Sequence, residues 1–360
     1  MYKLEHHKLV GEDVKLVLKE NVLAILSSNT LSVMSSAIHN GGCKRTKTII
    51  NTQVSDDYGD RRLHDDPELF IVESSKKIGD INDFVGMVTY ASVKDFSLIS
   101  KLDGELGVSV VATAGCTHAE SSGEEIEIHE IPGTINIIVI IDGNPTTSCL
   151  ACTLITATEA KTAALRDLDL RSRYSGDEAT GTITDALVTA KTGRGPDIIY
   201  GGPASKLGKL VGYCTRKAVR EATKKAKVGG YSPTRSIINR LTERHLSMEK
   251  LASESSKVKG ISIDQQSLEK LLKSKPVFTT FLLATSKLDD DIKKGLIPKE
   301  FGNVTLLSAK FSNTFFNSNI SVDTKIVQQL DYVDLPPFTK QVLIAFLMNN
   351  NLKEKNENLK

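Results

Sequence analysis

Residue types able to act on a polar substrate crowd two neighbouring stretches of this 360-residue sequence, ITATEAKTAALRDL from Ile155 to Leu168 and ATGTITDA from Ala179 to Ala186. The ammonium of Lys161 could balance a carboxylate, bind an anionic group or hold a developing oxyanion. A carboxylate such as Asp185 or Glu159 can act as a general base when burial tunes it toward neutrality. The hydroxyls of Thr180, Thr182 and Thr184 can bind polar atoms of a substrate, and Thr182 could less readily supply a nucleophile.

The elements that must position these groups follow from periodicity. At about 100° per residue, Leu150, Leu154, Ala157, Leu165 and Leu168 fall within one apolar arc of a helix, and Lys161 lands in its middle. Glu159 and Arg166 project to the opposite side. Lys161 either runs its methylenes along the core and frees its ammonium at an edge or points into a site. In an extended segment Thr180, Thr182 and Thr184 share one face, and Gly181, Ile183 and Asp185 the other. Threonines of this kind suit an ordinary half-solvated strand. A glycine inside a strand, however, often marks a bulge or the close approach of a ligand.

Upstream, residues 14–54 read as the strands VKLVLKE, VLAILSS, LSVMSS and KTIINTQV, paired antiparallel through short turns. His39, Asn40, Gly41 and Gly42 occupy the last of these turns. Their glycines either present amides to a ligand or only supply positive φ. A helix is expected from Asp66 to Lys77, a strand at VGMVTYASV, a helix near Leu98 to Leu106, a strand at VSVVATAG and a loop at TAGCTHAESSGE. Gly133 to Ile141 is a nearly continuous apolar run, as befits a strand buried on both faces. Thr134 and Asn136 at its entrance either tie loops together or contact substrate. ALVTA and DIIYGG read as further strands, and GGPASKLGKL opens a helix. That segment fails as a phosphate-binding loop, because five residues separate Gly202 from Gly208 and Leu210 follows Lys209. Leu207, Val211, Cys214, Ala218 and Ala222 give the helix an apolar stripe, with Lys217, Arg220, Lys224 and Lys225 on a solvated basic face.

GTINIIV, ITATEAKTAALRDL, ATGTITDA and YGGPASKLGKLVG, in this order, resemble the adenosylcobinamide amidohydrolase family. Weaker similarity extends upstream through HNGG, INTQV, VGMVTYA and TAGCTHAESSGE, so that the resemblance covers residues 1–230. It implies hydrolysis of the amide joining the aminopropanol arm to the corrin ring of adenosylcobinamide, giving adenosylcobyric acid and 1-amino-2-propanol, a corrinoid-salvage step. Cobalt belongs to the substrate, so no separate cofactor is implied. Amide hydrolysis needs an activated water or nucleophile, an oxyanion stabiliser and a proton for the departing amine. On this reading Lys161 stabilises the oxyanion or sets a neighbour's pKa, and Asp185 or Glu159 is the general base. Thr180 and Thr182 bind substrate; a Thr182 nucleophile freed by self-cleavage after Gly181 is the minor alternative. Asn40, Gly41, Gly42, His118, Thr134, Asn136 and Thr184 complete the expected substrate contacts. The family is expected to carry asparagine where this chain has His118, a departure that questions any amide-specific hydrogen bond there.

Composition bounds the alternatives. Lysine plus arginine number 46 against 44 acidic residues, without the basic excess of a nucleic-acid binder. The N-terminus lacks a signal-peptide run and no apolar stretch is long enough to span a bilayer, so a soluble cytoplasmic protein is expected, with homo-oligomerisation left open. Five cysteines make no disulfide framework, and Cys149 and Cys152 lack the partners of a zinc site. The expected fold class is α+β, a mixed β-sheet core with packed helices over residues 1–228. The Gly229–Pro233 run is the expected boundary. Beyond it a smaller α/β appended domain is expected over 234–350, with a helix over Thr234 to Ala252, another over Asp264 to Lys273, a strand in VFTTFLLATS, a helical stretch at Lys287 to Gly295 and a helix after Pro337. Residues 351–360 read as a disordered tail. Two readings of other classes stand beside the hydrolase: a non-catalytic corrinoid carrier, and an interaction protein acting through residues 231–360.

Overall fold

The structure, a computed structural model, describes residues 5–54, 65–125, 133–226, 235–298 and 328–357. The chain divides into two compact units, Met1–Pro233 and Thr234–Lys360. Residues 229–233, the expected boundary, lie outside the described residues.

The first unit carries, in chain order, β1 (Glu5–Lys8), β2 (Val14–Lys19), β3 (Val22–Ser35), β4 (Gly42–Gln53), α1 (Pro67–Ser75), β5 (Val85–Thr89), β6 (Ser97–Asp103), β7 (Leu106–Gly115), β8 (Ala119–Glu120), β9 (Thr134–Asp142), β10 (Asn144–Pro145), α2 (Thr147–Asp167), β11 (Gly181–Thr182), β12 (Ala186–Lys191), β13 (Asp197–Ile198) and α3 (Lys206–Lys225). Nine strands form one mixed sheet in the order β1-β2-β3-β12-β9-β7-β6, with β4 on the other edge of β3 and β5 on β4. β3 joins the two strands expected as VLAILSS and LSVMSS. Its pairing with β4 slips between Leu26 and Leu31, so the front half pairs with β2 and the rear half with β12. A bulge of this kind bends a strand and raises its twist, which lets one strand serve two layers.

Alternation along β9 sorts the layers. Ile135, Ile137, Val139 and Ile141 pack with Leu150, Ala157 and Leu165 of α2 and Leu207, Val211 and Cys214 of α3. Ile138 and Ile140 instead join Leu16, Leu23, Ile25, Ile49 and Met87 from β2–β5. A third cluster sets Val22, Ala24 and Ile50 against Phe70 and Ile71 of α1. The layers therefore run helix, sheet, sheet, helix, and β9 is buried on both faces, as its unbroken apolar run requires. Truncating any one of these isoleucines to alanine would cost about 2–5 kcal/mol.

The helix expected near Leu98 to Leu106 is instead the β6–β7 hairpin. Asp103 pairs with Leu106 across a two-residue loop whose Gly104 has φ 63°, a geometry that glycine supplies without strain. Glycine at the first position of the Gly104–Glu105 loop is the hairpin signal in the sequence. The expected threonine-rich strand also shrinks: only Gly181 and Thr182 are extended, a turn takes Ile183 and Thr184, and β12 starts at Ala186. The three threonines consequently do not share a face.

In the second unit the described elements are helical: α4 (Ile237–Thr242), α5 (Met248–Ser255), α6 (Gln265–Ser274), α7 (Pro276–Lys293) and α8 (Pro337–Glu357), with a short 3-10 turn at Leu330–Tyr332. The strand expected in VFTTFLLATS lies within α7. Phe278, Leu282, Thr285 and Asp289 are buried at helical spacing, and that periodicity overrides the β-branched threonines. The single helix expected over 234–252 is two, separated by a turn in which His245 has φ 60° and restarted by the Ser247 cap on the Lys250 amide. α8 runs on to Glu357, into the tail read from the sequence as disordered. Among the described residues no helix is long and apolar enough to cross a membrane.

Candidate active site

Helix α2 begins at a Thr146 cap that accepts from the Cys149 amide and ends at Leu168, beyond which Asp169 turns with φ 51°. Along it, Thr162 donates to the Thr180 carbonyl at 3.1 Å and Lys161 donates to Asp185 Oδ2 at 2.5 Å. The lysine and aspartate side chains are only 12% and 15% exposed. The expected choice for Lys161 thus resolves into a near-buried ion pair and not a solvent-seeking ammonium.

Asp185 is held from every side. Oδ2 also accepts from the Thr182 amide at 3.1 Å, while Oδ1 accepts from the Ile135 amide at 2.8 Å and from the Thr182 hydroxyl. Four donors converge on one carboxylate, so it fixes the turn, β9 and Lys161 together. A Cβ built on Gly181 would lie 2.6 Å from Asp185 Oδ2 and 2.8 Å from Lys161 Nζ. Glycine stands there because the pair rests against its Cα.

β9 and β12 are parallel, with Asn136 beside Ala186, so their entrances meet at one edge. Thr134 and Thr184 share a hydroxyl hydrogen bond of 2.7 Å, and Thr184 donates to the Gly133 carbonyl. A cleft of about 360 Å³ opens beside them, lined by Ser36, Ile38, Met87, Thr89, Tyr90, Thr134, Thr184 and Asp185 among others. Asp185 is common to cleft and ion pair; Lys161 itself is not part of the lining.

The remaining expected residues disperse. Asn136, 1% exposed, donates to Asn51 Oδ1 and the Val88 carbonyl and accepts from the Ala186 amide. Asn51 in turn donates to Thr113. This amide clamps the two sheet layers. Asn136→Leu should lower unfolding stability by about 1–3 kcal/mol, the cost of stranding buried partners; a denaturant titration checks it. Asn40, with φ 54°, donates to the Phe84 carbonyl, and a Cβ on Gly41 would meet the Ala37 carbonyl oxygen at 2.2 Å. The turn thus has its own reason for glycine, although neighbouring Ile38 does line the cleft. His118 Nε2 lies 2.8 Å from an Arg173 guanidinium nitrogen. Arginine has no acceptor, so that nitrogen of His118 is the acceptor. Thr180 accepts from the Ser122 amide and donates to its hydroxyl. Glu159 is exposed on the solvent side of α2 and does not meet the cluster.

One carboxylate was missed. Glu120, in the loop expected at TAGCTHAESSGE, forms β8 with Ala119 and lies opposite Gly181 in β11. Burial raises its pKa above the usual carboxylate value, and the charges of Asp185 and Glu124 raise it further against the opposing Lys161. Its sequence signal was only an acid inside a resemblance motif. Cys116, also close by, is 2% exposed and its thiol is pushed up to about 12 by burial, which leaves it protonated and inert. Among the described residues no group of three or more histidine, cysteine, aspartate or glutamate side chains could hold a metal ion.

The sequence model of the adenosylcobinamide amidohydrolase family matches residues 6–230, more than half of the chain and all of the cluster just described. The chain belongs to the adenosylcobinamide amidohydrolase family. The family is one of hydrolases acting on an amide. An adenosylcobinamide amidohydrolase of Methanosarcina mazei is 27% identical over 190 residues, 50% of this chain and 84% of that protein. An uncharacterized protein of Methanocaldococcus jannaschii is 38% identical over 107 residues, 29% of this chain and 41% of that protein, so the match spans less than half of that relative. Among solved structures, a Burkholderia sp. beta-aminopeptidase has a TM-score of 0.34 at 11% identity, covering 67% of this chain and 91% of that one. The l-aminopeptidase d-ala-esterase/amidase of Ochrobactrum anthropi has a TM-score of 0.32 at 10% identity, covering 68% and 90%. Neither likeness bears on the adenosylcobinamide amidohydrolase site.

Proposed function

We propose that this protein cleaves the aminopropanol amide of adenosylcobinamide, giving adenosylcobyric acid and 1-amino-2-propanol, with Lys161 as the oxyanion donor. The observation that carries the reading is a nearly buried Lys161–Asp185 pair whose aspartate lines a cleft, within the region that matches the family. Asp185 engages one N–H of the ammonium and orients the others, which are free to meet an oxygen gaining charge in a shielded site. A cleft of about 360 Å³ suits a slender amide arm and is far too small for a corrin ring. The ring then rests at the mouth, where Ile38 is 46% exposed. Cobalt enters as part of the substrate.

Incubating the purified protein with adenosylcobinamide and following adenosylcobyric acid by mass spectrometry tests this. Product beyond one equivalent per chain is expected. Tight corrinoid binding without product would replace the hydrolase by a carrier, and neither binding nor product would remove the corrinoid reading.

A further inference from the structure

Hydrolysis needs a group that takes a proton from water and later delivers one to nitrogen, and most polar residues of the cluster are already committed. Asp185 accepts from four donors. The Thr182 hydroxyl donates to Asp185, Nε2 of His118 accepts from Arg173, and Glu159 faces solvent.

Glu120 is different. In an antiparallel ladder, directly opposed residues project to the same face with Cβ atoms about 4.5–5.5 Å apart. Glu120 opposes Gly181. The face concerned is the one on which a Gly181 Cβ would run into Asp185 Oδ2 and Lys161 Nζ. The Glu120 side chain therefore leaves β8 on the side where the ion pair lies, and glycine opposite it lets the pair come close on that face. Glu120 is half-buried, and among the described residues its carboxylate makes no hydrogen bond, which leaves its lone pairs available. The charged groups that act on it are Asp185, Glu124 and Lys161.

We propose that Glu120 is the proton-transfer residue of this site, resting on the reading that the protein hydrolyses the adenosylcobinamide amide. The Glu120 carboxylate takes a proton from water as the water oxygen bonds to the amide carbon. The carbonyl π pair moves onto oxygen beside Lys161. Collapse of that intermediate breaks the carbon–nitrogen bond, and the Glu120 carboxylic acid gives its proton to the departing amine. One water is consumed, one acid and one amine are formed, and Glu120 returns to its starting state.

The test uses the full chain. Glu120→Gln should lower kcat by about 10²- to 10⁴-fold while the corrinoid Kd, read from the corrin absorbance, stays at the parental value, as for an interaction made only in the transition state. In the parent, kcat/KM should fall as pH drops through the raised Glu120 pKa, because the base must be ionised; the residual activity of Glu120→Gln should lack that limb. Glu120→Ala should recover part of its activity on adding formate or acetate, which a merely structural role would not allow. A Glu120→Gln enzyme with parental kcat, or folded Glu120→Ala without rescue and with an unchanged acid limb, would overturn the assignment alone. A parent that releases no aminopropanol would instead remove the substrate reading, and this role with it.

Discussion

Adding one methyl group at Gly181 should slow turnover severely while the fold survives. The new Cβ would sit 2.6 Å from Asp185 Oδ2 and 2.8 Å from Lys161 Nζ, both inside any contact a real Cβ tolerates, so something must move. Asp185 is tied to two backbone amides and a hydroxyl besides the lysine, whereas Lys161 Nζ is the free end of a flexible chain. The lysine yields. We expect Gly181→Ala to lose about 10²-fold or more in kcat, the scale of a misplaced oxyanion donor. Its stability should fall by about 1–3 kcal/mol, as for overpacking elsewhere. Mass-spectrometric turnover and a thermal melt on the same preparation separate the two. A variant with parental kcat would show that the ion pair can shift without consequence, and would discard Lys161 as the donor.

Lys161→Met should have a comparable effect on rate with a different effect on stability. Methionine follows the lysine stem through the same apolar arc of α2 and lacks only the ammonium. We expect kcat to fall about 10²- to 10³-fold. Removing one member of a buried pair can cost about 3–5 kcal/mol, but Asp185 keeps three other donors here, and a loss of about 1–3 kcal/mol is expected for a partly compensated group. Asp185→Asn should be the less stable of the two. Whichever way its amide turns, the NH2 faces a backbone amide, that of Ile135 or that of Thr182. Urea titrations of both variants check this order. If Asp185→Asn were as stable as the parent and Lys161→Met as active, the pair would be ornamental.

The helical stripe of α2 made Lys161 legible from sequence, because a charge in the middle of an arc of leucines and alanines has few ordinary explanations. Asp185 was legible only as a type. Its partner set depends on β9 and a turn that period-two reasoning placed inside a strand. The extended reading put Thr180, Thr182 and Thr184 on one face, yet each found a different partner, Ser122, Asp185 and Thr134. Glu120 was not legible. Its face is fixed by a two-residue ladder whose pairs, Ala119–Thr182 and Glu120–Gly181, join positions 63 and 61 apart, and no local pattern encodes such a contact. The buried two-faced β9 was plain for the opposite reason, since its apolar run needs no partner to be recognised. Asn136 illustrates a middle case. A polar residue in that run announced a buried network, but only the positions of Asn51, Val88 and Ala186 show that the network joins sheet layers.

The bent strand β3 also has a consequence for how the chain is made. Its rear half gains its second neighbour from β12, where Thr189 also bonds the Met34 carbonyl across 155 positions. At ribosomal speeds of about 5–20 residues per second, the nascent β3 and β4 hairpin waits on the order of ten seconds with that edge open. During this interval the edge can pair with the wrong chain. Distant closure of this kind also slows folding, since the loop must be ordered before the contact repays it. Biogenesis, more than the finished core, is therefore where this architecture is most exposed to aggregation, and a chain truncated before Ala186 would carry the open edge permanently.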